Sequence, residues 1–114
     1  MATQMEQYRT EGYFIADHAV DPDMLDPLLE AARRIKERSR SGEVDIAVQW
    51  AAPGEPWVIR GLFSLAFGES IFAEYLVSRP VMDCVESFLG SDLDMGDVVL
   101  FTNPRNQGFS TGWH

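Results

Sequence analysis

The sequence predicts an α+β chain in which helices come first and a sheet begins only towards the C-terminal end. Three observations predict it. Apolar residues recur at helical spacing over 22–41 and again over 71–90. Between these stretches, 43–60 alternates apolar and polar residues around turn-forming Pro and Gly. The most apolar run, Val98-Val99-Leu100-Phe101, is β-branched or aromatic and lies close to the end.

Each element follows from local signals. Thr3 and Glu6 fit a capping box that starts a short helix, running to about Glu11 and stopping at Gly12. Tyr13-Phe14-Ile15-Ala16 reads as a short buried strand. Asp17-His18-Ala19 turns the chain into a second helix, with Asp21 as N-cap and Pro22 at the first helical position. Val20 and Leu25 fit a hydrophobic staple. Leu25, Leu28, Leu29, Ala32 and Ile35 share one face of this helix. The other face carries Glu30, Arg33, Arg34 and Glu37, with Glu30–Arg34 and Arg33–Glu37 at i,i+4 spacing. Pro27 removes one hydrogen bond, yet the apolar face stays in phase across it, so one bent helix ending near Ser41-Gly42 is expected. Its basic residues Arg33, Arg34, Lys36, Arg38 and Arg40 spread around the helix and alternate with acids, the pattern of a solvated surface.

Glu43 to Gln49 reads as a strand with Val44, Ile46 and Val48 on one side. The 52–56 stretch is a turn or loop, and Trp57 to Arg60 a second short strand. Trp50 and Trp57 read as packing residues before pocket residues. Ile71, Phe72, Tyr75 and Leu76 form one helical face; Pro80 breaks that helix and opens another through Val81, Met82, Val85, Phe88 and Leu89, ended by Gly90. Cys84, beside that face, reads as a packed thiol, because no histidine stands near it in sequence to activate it. Leu93 to Thr102 is the strongest predicted strand, broken at Asn103-Pro104, and Phe109 to His114 reads as the next.

A chain of 114 residues is one domain or part of one. With 46% hydrophobic and 24% charged residues it has the balance of a folded chain rather than a disordered one. Its net charge of -9 repels a phosphate backbone and argues against nucleic acid as a partner. Cys84 is the single cysteine, which excludes an internal disulfide and a Cys-based zinc site and suits a cytoplasmic setting. The polar stretch Met1 to Gly12 has no apolar core of a secretory signal, and no run reaches the length of a membrane span.

Candidate chemistry gathers at the last residue. His114 follows Trp113 at the end of a predicted strand. Non-haem iron oxygenases hold Fe(II) with two histidines and one carboxylate. A histidine and a carboxylate two residues apart on a strand point the same way, so the partner of His114 would be residue 116. His18 is the only other histidine, and no Cys/His cluster supplies the remaining ligands.

The order of several segments adds to this. Tyr8-Arg9-Thr10-Glu11-Gly12-Tyr13-Phe14-Ile15 is followed by Val20-Asp21-Pro22 with its leucine-rich helix, then by Arg60-Gly61-Leu62. The helix pair around Arg79-Pro80, Phe88-Leu89-Gly90 and finally Gly112-Trp113-His114 come after. Over nearly the whole chain this order resembles the phytanoyl-CoA dioxygenase family of Fe(II)- and 2-oxoglutarate-dependent oxygenases. The resemblance implies a double-stranded β-helix (jelly-roll) core with the N-terminal helices packed on one side. It implies hydroxylation of a small organic substrate coupled to oxidative decarboxylation of 2-oxoglutarate. His114 would be an iron ligand, and Asn103 and Thr111, on the strands leading to it, would contact 2-oxoglutarate or substrate. The second residue of the family's His-x-Asp pair, its distal histidine and its 2-oxoglutarate-binding arginine are absent from these residues. The expectation is therefore an N-terminal segment of an oxygenase domain, 1–114, inactive alone and completed by the rest of a parent chain or a self-association partner. A carboxylate at residue 116 would imply hydroxylation; Gly or Ala there would imply halogenation, as in related halogenases. The alternative is a non-catalytic α+β binding or interaction module ending at His114. The oxygenase segment leaves an apolar sheet face uncovered, whereas the module closes its own core.

Overall fold

The computed structural model describes residues 2–43, 48–62 and 67–103. Within them the chain is α+β, with four helices and a three-stranded antiparallel sheet.

Helix α1 spans Ala2–Glu11 and stops where Gly12 takes φ +81° and donates its N–H to the Tyr8 carbonyl at 2.9 Å. Thr3 lies within the first turn rather than at the N-cap. The predicted strand at 13–16 is corrected: this stretch pairs with no strand, and Tyr13 and Ile15 are 56% and 70% exposed. Its apolar residues serve a side-chain cluster instead. Phe14 stacks on Phe88 with ring centroids 3.9 Å apart, and Tyr8 meets both rings edge-on.

Helix α2 spans Pro22–Arg40 as one helix with Pro27 inside it. Asp21 sits in extended backbone and accepts the Asp23 N–H at 3.0 Å. Asp21→Ala is expected to lower stability by about 1 kcal/mol, read by urea denaturation, with Asp21→Asn recovering most of it. At the other end the Ser41 N–H donates to the Glu37 carbonyl. The buried stripe is Ala31, Ile35 and Ser39, flanked by Leu28 and Ala32. Leu25 and Leu29, predicted on the buried face, are 53% and 50% exposed, because the sheet lies against a neighbouring sector of the helix. The exposed Leu25 gives the expected staple with Val20 little cover. Ser39 Oγ is buried with no hydrogen-bond partner among the described residues. Ser39→Ala should therefore be neutral or stabilising, by up to about 1 kcal/mol in the same denaturation experiment.

Strands β1 (Val48–Ala52) and β2 (Glu55–Ile59) form a hairpin. Residues 44–47 of the predicted strand lie outside the described residues, and β1 runs three residues beyond its predicted end at Gln49. The turn is Pro53-Gly54, with Gly54 at φ +77°, the combination a type II turn requires. A type II turn does not match the twist of a two-residue hairpin. The ladder accordingly carries irregularities at Gln49/Trp50 and Trp50/Ala52.

Helices α3 (Ile71–Leu76) and α4 (Arg79–Leu89) are separated at Val77-Ser78, and Pro80 occupies the first turn of α4. Gly90 ends α4 at φ +84°. Helix α4 buries no side chain fully. The predicted strand Leu93–Thr102 is corrected to β3, Leu100–Phe101 alone. Upstream of it backbone groups are satisfied otherwise: the Asp97 carboxylate accepts the N–H groups of Val98 and Gly61, and the Val98 carbonyl accepts the Leu62 N–H.

The sheet order is β1-β2-β3. Ile59 pairs with Val48 and Leu100 and packs with Ala31, Ile35, Leu62, Phe67 and Phe72 into the core. That core is small for the chain.

Candidate functional site

The approach to the predicted iron ligand begins at β3. The Thr102 N–H donates to the Trp57 carbonyl at 3.0 Å, and Thr102 Oγ1 donates to the Pro56 carbonyl. These bonds hold the exit of β3 against β2. Asn103 follows in the left-handed region at φ +44° and is exposed, so it stands just past the sheet rather than on a strand. Thr111 and His114 lie outside the described residues. The structure thus places Asn103 alone of the three predicted site residues. Among the described residues no three His, Cys, Asp or Glu side chains come together as a metal ligand set.

The two faces of the sheet differ. One packs against α2 through Ile59. On the other, strand register puts Phe101 opposite Val58, while Trp50 stands opposite Pro56 across the irregularity that follows Gln49. Pro56 and Val58 are buried there, whereas Trp50 is 39% and Phe101 47% exposed. Two large aromatic side chains therefore stand partly in water on a sheet whose centre is already dry. Trp50 is not buried.

Away from the sheet, two of the grooves among the described residues bear on chemistry or binding. The first, about 380 Å³, is lined by Gln4, Asp17, His18, Pro80, Asp83 and Cys84, among others. Sequence reasoning found no histidine beside Cys84; the fold brings His18, at φ +58°, into the same groove. Among the described residues no hydrogen bond joins the imidazole to the thiol, and Asp83 is engaged by Arg79. The arrangement is not an activated nucleophile. The second groove, about 310 Å³, runs between the α3–α4 junction and the segment after α4. Its lining is apolar except for Asp94. Helical periodicity showed that α4 has an apolar face; only the packing shows that this face is left open.

One ion pair ties α2 to the segment before α3. Arg34 donates from Nε and Nη2 to the two carboxylate oxygens of Glu69, at 2.7 and 2.9 Å. Of the pairs expected along α2, Glu30 still acts on Arg34 through its charge while Arg34 makes this bidentate contact, and Glu37 pairs with Arg40. Hydrogen bonding from Arg34 holds the Glu69 carboxyl below its ordinary value of 4.5, against the opposing effect of desolvation. The same bond raises Arg34. A depressed carboxyl stabilises the fold above its unfolded value, and this contribution is lost as pH falls through the folded value. Acid unfolding should thus include a step below about pH 4.5 that Glu69→Gln removes, followed by circular dichroism against pH.

No helix among the described residues is long and apolar enough to cross a membrane. Comparison with protein-family models, curated proteins and solved structures finds no match to this chain.

Proposed function

We propose that this chain is the N-terminal segment of an Fe(II)- and 2-oxoglutarate-dependent dioxygenase of the phytanoyl-CoA dioxygenase type, acting on a small organic substrate in the cytoplasm. The carrying observation is the partial exposure of large aromatic residues on the sheet faces, Trp50 at 39% and Phe101 at 47%. In a double-stranded β-helix a second sheet stacks on such a face, about 10 Å away, and covers it. On this reading His114 and a carboxylate at residue 116 supply two iron ligands. Asn103 stands at the rim, where an exposed amide can donate to 2-oxoglutarate or substrate. The third ligand and the cosubstrate-binding arginine come from protein outside these residues.

C-terminal sequencing and intact mass of the protein from its source test this directly. Continuation past His114 with Asp or Glu at residue 116 is the expected result. Gly or Ala there redirects the reading to halogenation. A native terminus at His114 overturns it in favour of a non-catalytic binding module.

A further inference from the structure

The apolar groove beside α4 has no role in the proposed chemistry, and its charge indicates what fits it. Val81, Val85 and Leu89 recur along one face of α4, with Met82 beside them. Leu76 and Val77 close one side of the groove; Leu93, Asp94 and Met95 close the other. Val77, Leu89 and Met95 are 68%, 62% and 49% exposed. Contiguous exposure of this kind marks interaction surfaces rather than ordinary surface apolar residues. Two methionines give the groove an adaptable lining.

The charges beside it are mostly acidic, and the base on its α4 flank, Arg79, is paired with Asp83. Asp94 lines the groove and Asp92 stands exposed two residues before it. Glu86 follows Met82 by one turn of α4 and is half-buried. No basic residue is among the described lining residues. A second copy would bring Asp94 and another net charge of -9 against the same acids, which argues against self-pairing here. We infer that this groove takes an amphipathic helix from a partner protein, with apolar residues at i, i+3, i+4 and i+7 flanked by Lys or Arg. The inference goes beyond the oxygenase reading and does not rest on it, since binding is measured without turnover.

The test uses the chain as it stands and two synthetic helices of about 18 residues. One has Leu at i, i+3, i+4 and i+7 with Lys elsewhere; its twin has Glu in place of each Lys. The Lys helix should bind and weaken as salt rises from about 0.05 to 0.5 M, while the Glu helix should not bind. Leu89→Asp and Val77→Asp should each weaken binding about tenfold or more without changing the circular dichroism spectrum. Both residues are mostly exposed, so the fold tolerates them. Leu25→Asp, at an exposed apolar site on α2 that does not line this groove, should leave binding unchanged. Failure of the Lys helix to bind overturns the proposal. So does equal binding of the Glu helix, or equal weakening by Leu25→Asp, which would mean unspecific adhesion. A dimer in sedimentation that Leu89→Asp turns into a monomer also overturns it, by giving the groove to a second copy.

Discussion

Phe67→Ala should lower the unfolding free energy by about 3–5 kcal/mol, the range for deleting a buried aromatic ring and leaving its cavity. Phe67 is 2% exposed and packs with Ile35, Ile59, Leu62 and Phe72, the residues that join α2, β2 and α3. Its carbonyl also accepts a hydrogen bond from the Arg38 guanidinium. A domain of this size holds about 5–15 kcal/mol in total, so the loss is a large share of it. The small core leaves few other contacts to compensate. Urea denaturation followed by far-ultraviolet circular dichroism measures the change. A loss below about 1 kcal/mol would show that the core around Phe67 does not hold the chain together. Leu25→Ala, at a 53% exposed position, is the control and should shift stability by no more than about 0.5 kcal/mol.

The second large effect concerns activity. On the oxygenase reading, the 114-residue chain supplied with Fe(II) and 2-oxoglutarate releases no succinate, because one histidine does not hold iron in a usable geometry. In a chain that continues with a carboxylate at residue 116, succinate release should appear. His114→Ala should then reduce it at least about a hundredfold, since changes in residues that merely support ligands already cost 10–100-fold. Asn103→Ala should weaken 2-oxoglutarate or substrate binding while retaining iron. Turnover by the 114-residue chain alone, or an extended chain indifferent to His114→Ala, would remove the basis of the proposal. Neither outcome bears on the α4 groove, whose test reads only binding.

Much of the fold was legible wherever a few neighbouring residues set the backbone. Asp21-Pro22 start α2, Gly12 and Gly90 stop α1 and α4, and Pro80 separates α3 from α4. Such signals act within one or two turns, through side-chain caps and the freedom of glycine at positive φ. The α+β class follows from the same local reading. The candidate iron ligand was legible only as a residue type and a spacing, and Asn103 proved to stand just past the strand rather than on it.

Tertiary structure decided which apolar runs became strands and which faces became core. Tyr13-Phe14-Ile15-Ala16 and Val98-Val99 are as apolar as β2, but a strand exists only where another lies beside it to complete its hydrogen bonds. Phe14 went instead to Phe88, and Val98 gave its carbonyl to Leu62. The sector of α2 that is buried, the meeting of His18 with Cys84 in one groove, and the exposure of Trp50 and Phe101 all depend on partners distant in the chain. By itself the sequence determined where helices begin and end, because those energies are local. Burial and strand pairing were left to the packing, because they belong to pairs of segments and not to either segment alone.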